Sequence, residues 1–306
     1  MKVTHQNSGG GKYSPLQLAQ KYIRYYLTAS NGRGHGIHSP FVFDLVKNVL
    51  NDSRDFPAYA AIERLRRQLE KDSRVLTIED MGAGSALPGT PGRKVSPGRK
   101  DTLDMKASLD TNITLDMNAG RQRRIADIAR RAAKPKKWGQ LLFRIARYYR
   151  SGTILELGTS LGLSTAYLAA GSGGARVFTI EGAAEVAAVA EKNFRSLGLE
   201  NIDCTIGNFD DVLEGTLDRA GRIDLAFVDG NHRLEPTLRY FDALYGRLSP
   251  ASVVVFDDIH WSREMEEAWE AIKADDRVYL TVDLFFIGLV FFRDTFKVKQ
   301  DFIIRF

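Results

Sequence analysis

Cysteine is nearly missing from this 306-residue chain, which has only Cys204. That excludes an intramolecular disulfide and a cysteine-only metal cage, and makes a reducing compartment the natural setting. Long apolar runs are missing too. The longest, near Leu284 to Phe292, is broken by Gly288 and falls well short of the roughly 20 residues a membrane span needs. The first residues, with Gly9, Gly10, Gly11 and Lys12, lack the apolar stretch of a signal peptide. The expected location is therefore cytoplasmic, with no membrane span. Nor does charge of one sign dominate, since 43 basic residues are interleaved with 38 acidic ones for a formal net charge of +5. Such an excess permits contact with nucleic acid without demanding it. What is present is ample apolar material: 44% hydrophobic residues exclude disorder along the whole length and suit one large domain with an appendage.

The chain changes character three times. Pro15 to Leu27 places Leu16, Ala19, Tyr22, Ile23 and Tyr26 at helical spacing, with Ser14 as cap and Pro15 in the first turn. A Gly-rich connection from Asn31 to Gly36, a second apolar stretch from Phe41 to Leu50 and a helical segment from Pro57 to about Leu69 complete a helical N-terminal region, residues 1–85. Residues 86–120 then repeat Pro-Gly-Arg-Lys and Thr-Leu-Asp-Met, which reads as a flexible insertion whose basic residues form a solvated loop. Helical periodicity resumes near Arg124, Pro135 interrupts it, and a stretch from Trp138 to Tyr149 follows. From Thr153 onward short β-type runs alternate with helices: Thr153–Leu157, Arg176–Ile180, Asp203–Ile206, Ile223–Val228, Ser252–Phe256, Val278–Asp283 and Phe285–Arg293 are the strand candidates. This alternation predicts, over 121–306, an α/β Rossmann-like domain with a doubly wound, mainly parallel seven-stranded sheet. Its last two strands are joined by almost nothing and should form an antiparallel hairpin.

The first of these strands runs through Ile154-Leu-Glu-Leu-Gly-Thr-Ser-Leu-Gly-Leu-Ser164 into a Gly-bearing turn and a helix. Gly158 lets the backbone turn sharply, Gly162 allows close approach to a ligand, and the helix offers its N-terminal amides. Tight packing alone also produces such a turn. Glu156, however, lies inside an apolar strand, where a charge is costly unless a ligand or backbone donor meets it. Glu181 ends the next strand, where a carboxylate can accept both hydroxyls of a ribose. The segment Glu156-Leu-Gly-Thr-Ser160-Leu-Gly162 resembles motif I of class I S-adenosylmethionine-dependent methyltransferases. The resemblance covers roughly residues 135–293 and implies S-adenosylmethionine as cofactor, with Glu156 near its methionine end, Glu181 on its ribose, and Gly207-Asn208-Phe209-Asp210 flanking its adenine. A second candidate turn, Glu79-Asp-Met-Gly-Ala-Gly84, lacks an acidic strand end at the right distance and reads as structural.

Asp224-Leu-Ala-Phe-Val-Asp229-Gly-Asn-His232 and Val253-Val-Val-Phe-Asp257-Asp258-Ile-His260 end two later strands. Their carboxyl ends open onto one crevice of a doubly wound sheet, so Asp229, Asp257 and Asp258 should converge. A cation is one resolution of three like charges; orienting a substrate or satisfying backbone amides is the other. The placement resembles catechol-type and sugar O-methyltransferases, which implies Mg2+ on Asp229, Asp257 and Asp258, with Asp258 standing where catechol-type enzymes carry asparagine. Lys137-Trp-Gly-Gln-Leu-Leu142 resembles the start of a helix in the same group. His232 falls where that group keeps a lysine base, and with Asp229 forms the candidate catalytic pair; a loop histidine satisfying its own turn is the plainer reading. His260 and Trp261 are second candidates for the acceptor pocket, and His35 and His38 for a cap over it. The expected function is O-methylation of a small-molecule hydroxyl, with a homodimer compatible with the residues. No Pro-Pro-aromatic motif follows Asp229 and Cys204 lies in a strand, so a nucleic-acid acceptor is not expected. The rival readings are an NAD-dependent oxidoreductase, disfavoured by Glu156 and the absent Gly-x-Gly-x-x-Gly, and a non-catalytic cofactor-binding module, which has no use for the retained carboxylates.

Overall fold

A computed structural model describes residues 11–78, 121–131 and 133–306. The upstream turn at 79–84 and the insertion at 86–120 lie outside these residues. The N-terminal helices α1 (Pro15–Thr28), α2 (Pro40–Leu45) and α3 (Pro57–Leu69) form as expected, α2 running on into a π-helical turn over Val46–Leu50. At α1 the cap is reciprocal: the Gln17 amide donates to the Ser14 hydroxyl and the Ser14 amide to the Gln17 side chain. The region is not purely helical. A short strand β1 (Val75–Ile78) pairs antiparallel with β2 (Arg121–Arg124), and α4 (Ile125–Arg131) and α5 (Lys136–Tyr148) follow.

The rest of the chain alternates as its pattern dictates: β3 (Thr153–Leu157), α6 (Leu163–Ser172), β4 (Arg176–Glu181), α7 (Ala184–Ser196), β5 (Ile202–Ile206), α8 (Phe209–Ala220), β6 (Leu225–Val228), α9 (Leu234–Tyr245), β7 (Val253–Asp257), α10 (Arg263–Ala274), β8 (Leu280–Asp283) and β9 (Ile287–Phe291). The sheet order is β10-β8-β9-β7-β6-β3-β4-β5, with β9 antiparallel to both its neighbours and the other strands parallel. The predicted hairpin is therefore present as β8 and β9. An eighth strand, β10 (Gln300–Ile303), joins the edge beside β8; its four alternating half-exposed residues carry too weak a pattern to announce a strand.

Period-two alternation sends side chains to opposite faces of the sheet. Phe227 and Val255 meet Leu141, Leu142 and Ile145 of α5 together with Val42, Leu45 and Val49 of the N-terminal region. Ala226, Val228, Val254 and Phe256 meet Leu213, Phe241 and Trp269 of α8, α9 and α10 on the other side. A third cluster joins Tyr59, Ile62 and Leu65 of α3 to Phe143 and Tyr167. Helices α2 and α3 thus bury their apolar faces in the core of the later residues, whereas α1 buries only Tyr25, against Phe285, and leaves Leu16, Ile23, Tyr26 and Leu27 exposed. Strand order reverses between β3 and β6, the switch point at which a doubly wound sheet opens a crevice beyond its carboxyl ends.

Candidate functional site

At the end of β3 the Gly158 and Thr159 amides both donate to the Ile180 carbonyl, tying the turn to β4, while the Asp229 amide donates to Leu157, tying it to β6. Gly158 has φ +104°, and a Cβ there would collide with the Asp229 carbonyl, so glycine is required twice over. Gly162 caps α6 in a left-handed conformation, φ +79°, and its missing side chain leaves room for the Phe194 ring. Its need is thus met by helix packing as much as by any ligand's approach. Between them Ser160 holds φ +49° and donates its amide to Glu181 Oε2 at 2.8 Å.

Glu181 Oε1 accepts from the Ala183 amide at 3.0 Å, so the turn and the start of α7 aim this carboxylate together. Burial pushes its pKa up, against the pull of the Ala183, Ser160 and Gly182 amides. Each oxygen keeps a further lone pair for a hydroxyl. Glu156 is wholly buried; its Oε2 accepts from the Thr165 and Thr179 hydroxyls, and its Oε1 has no partner among the described residues. Burial raises its pKa to about 7, with the Thr165, Ser164 and Thr179 hydroxyls opposing. Asn208 caps α8 by accepting from the Asp210 amide, and Phe209 stands edge-on to Tyr240 with its ring over Gly230, beside the crevice end of β6.

Asp229, Asp257 and Asp258 do converge at the ends of the adjacent strands β6 and β7, and among them lies a residue the sequence did not single out. Lys134 Nζ touches Asp257 Oδ2 and lies 3.8 Å from both Asp229 Oδ1 and Asp258 Oδ1. Asp257 is 1% exposed, and its Oδ1 has no partner among the described residues. Burial raises the pKa of Asp229, with Lys134 and His232 pulling it down and Asp258 pushing it up. Asp258 holds φ +52° while its amide donates to the Phe286 carbonyl, and Asn231 holds φ +58° in the neighbouring loop. Left-handed backbone at non-glycine residues is costly, and here Ser160, Asn231 and Asp258 gather it just beyond β3, β6 and β7. His232 Nε2 is 3.6 Å from Asp229 Oδ1, and donor atoms of Asp229, His232 and Asp257 all lie within 4.8 Å of one another. The only hint of Lys134 in the sequence is its place directly before the helix-starting Pro135.

The remaining candidates go elsewhere. His260 lines a cavity of about 400 Å³ beside α1, with Lys21, Tyr25 and Phe285, and its ring there bridges Glu266 and Asp283, at 3.0 and 2.8 Å. Trp261 lies under the Lys12 ammonium, 5.1 Å from its ring centre. His35 and His38 are exposed. In the segment from Lys137, Trp138 packs on Phe286 and Phe306, and a Cβ on Gly139 would collide with the Tyr167 ring.

Residues 155–259 match a family model described as a methyltransferase domain. A curated catechol O-methyltransferase from Niastella koreensis is 32% identical over 124 residues, which cover 40% of this chain and 55% of that protein. The chain thus spans about half the length of that relative. Among solved structures, an O-methyltransferase from Streptomyces achromogenes involved in tomaymycin synthesis, in complex with S-adenosylmethionine, is 24% identical. Its match covers 53% of this chain and 82% of that one, with a TM-score of 0.46. An O-methyltransferase from Bacillus cereus in complex with S-adenosylhomocysteine is 23% identical, covering 52% and 82%, with a TM-score of 0.45.

Proposed function

We propose that this chain is an S-adenosylmethionine-dependent methyltransferase that methylates the hydroxyl of a small molecule. The observation that carries the reading is the constellation at the switch point, Glu156, Glu181 and Asp229 around one Gly turn, inside the stretch matched by the methyltransferase-domain model. Residues 121–306 are the proposed catalytic unit, with the helices before residue 85 packed onto it. The cofactor fits by its chemistry. The unpartnered Oε1 of Glu156 suits an ammonium, Glu181 has lone pairs left for ribose hydroxyls, and Phe209 with Asn208 offers a flat wall for a base. When bound, S-adenosylmethionine supplies an electrophilic methyl group on a positively charged sulfur.

The chain's own residues then have defined tasks. Glu156, Ser160, Glu181, Gly158 and Gly162 hold and orient; Asn208 and Phe209 wall the base side. His232, beside Asp229, would take the proton of the acceptor hydroxyl at Nε2, leaving the oxygen lone pair free for the methyl group. Such general-base help typically adds a factor of about 10²–10⁴. Asp229, Asp257 and Asp258 are the hard oxygen donors a Mg2+ ion favours. Lys134 lies against them, however, so no step is routed through a metal.

Calorimetry with S-adenosylhomocysteine tests the reading. Binding in the micromolar range is expected, about 7–8 kcal/mol, and Glu181→Ala should weaken it about tenfold or more. Binding of NAD with no affinity for S-adenosylhomocysteine would end the proposal.

A further inference from the structure

Three carboxylates at the mouth of a crevice need a positive partner, and the identity of that partner decides the chemistry available there. Lys134 is well placed to be it. Its Nζ reaches all three acids, at 3.8 Å from Asp229 and Asp258 and in contact with Asp257. Its backbone is anchored from two sides. The Lys134 carbonyl accepts from Arg66 Nη2 at 2.7 Å, and Arg66 is itself held by Glu63; the next residue, Pro135, offers its carbonyl to the Trp138 and Gly139 amides and so starts α5. The lysine stem is therefore fixed where it enters, and the side chain is only 15% exposed. This is unlike a surface lysine that swings into a nearby acidic patch.

We infer that Lys134 is the resident cation of this cluster, so that a side-chain ammonium, rather than a divalent metal ion, faces the acceptor oxygen. A Mg2+ ion would need carboxylate oxygens at about 2.0–2.1 Å in near-octahedral array. One of the two Asp257 oxygens is already engaged by the ammonium, and two positive charges in that buried space repel strongly. An ammonium has three N–H donors, enough to grip Asp257 and still offer a proton to an incoming oxygen. One positive charge among three acids also leaves the mouth net negative, which favours a cationic cofactor at its rim. The inference deepens the methyl-transfer reading and rests on it for the acceptor. Its experiment, however, reads metal binding, which is measured whether or not any methyl group is transferred.

The probe is Mn2+, added to the full chain after dialysis against chelator and followed by electron paramagnetic resonance and calorimetry, with wild type, Lys134→Met and Lys134→Met/Asp257→Asn side by side. Wild type should bind no Mn2+ tighter than about millimolar, while Lys134→Met should bind one ion at least about tenfold tighter. The added Asp257→Asn change should remove that gain. A wild-type chain that binds one Mn2+ in the micromolar range, lost on Asp257→Asn, would overturn the inference. So would a Lys134→Met chain that binds no better than wild type, since the lysine would then be excluding nothing. Lys134→Gln, read the same way, decides the matter should the methionine variant fail to fold.

Discussion

Two clusters of acids and cations lie beyond the carboxyl edge of the same sheet, and they are finished to different degrees. In the one beside α1, every group is paired: His260 bridges Glu266 and Asp283, and Glu266 also accepts from Tyr13 and from Lys21. In the one at the switch point, Lys134 reaches three carboxylates, yet Asp257 Oδ1 and, across the turn, Glu156 Oε1 have no partner among the described residues. Buried polar atoms are rarely left unpaired unless something else pairs them. The first cluster is thus complete in itself and fastens α1 to α10 and β8, whereas the second keeps buried oxygens that no described residue pairs.

Removing the central acid of the unfinished cluster should have the largest effect. Asp257→Ala leaves the Lys134 ammonium buried without its contact partner, a loss expected to lower stability by about 3 kcal/mol in urea denaturation. Pairing it with Lys134→Met should recover much of that loss, and a purely additive double mutant would mean the two residues do not act as a unit.

The finished cluster should instead show itself through pH. Burial works against a charged His260 ring, but its bonds to Asp283 and Glu266 prevail and raise its pKa from 6.5 to about 9. Its stabilisation is therefore fully present below pH 6.5 and fades as pH climbs through about 9. Glu266 runs the other way: burial opposes its charge, but His260, Tyr13 and Lys21 hold its pKa near 2. Its share is present above 4.5 and fades as pH falls toward 2. Urea midpoints measured from pH 6.5 to 9.5 should drop in wild type and stay nearly flat in His260→Gln; parallel curves for the two would detach the ring from the alkaline decline.

The smallest effect should come from the rim of the finished cluster. Lys21 is partly exposed and meets Glu266 at 2.9 Å, so Lys21→Ala is expected to cost only about 0.5 kcal/mol. The change should nonetheless raise amide exchange along α1 while leaving that of α6 unchanged. Equal protection of α1 in both proteins would show that Tyr25 and Phe285 packing holds the helix without the ion pair.

The contrast also separates what can be read from the chain alone. Strand and helix alternation after Thr153, the β8–β9 hairpin and the turn from Gly158 to Gly162 were all legible, because each is written in side-chain period or turn chemistry within a dozen residues. Convergence of Asp229 with Asp257 and Asp258 followed from topology, since strand ends of a doubly wound sheet share a mouth. Lys134 was not legible. It belongs to a short connection with no period, far back in the chain from the acids it meets, and only the packing of α3 against α4 and α5 brings it there. The ion pairs of His260 were not legible for a related reason: although the strand Val278–Asp283 was, no local pattern says that its last residue meets His260.

The close fit of Gly158 against the Asp229 carbonyl has a mechanical meaning. The separation of β3 from β6 at the crevice is gauged by the absence of a single methyl group. An alanine there would act as a wedge, and the displacement would not stay local, because the Gly158 amide is pinned to β4 and the Asp229 amide to β3. Spreading the strands would move the Ser160 amide off Glu181 on one flank and Asp229 away from Lys134 on the other. The two halves of the proposed site, the Glu181 flank and the Lys134 flank, thus share one tolerance, set by a side chain that is not there.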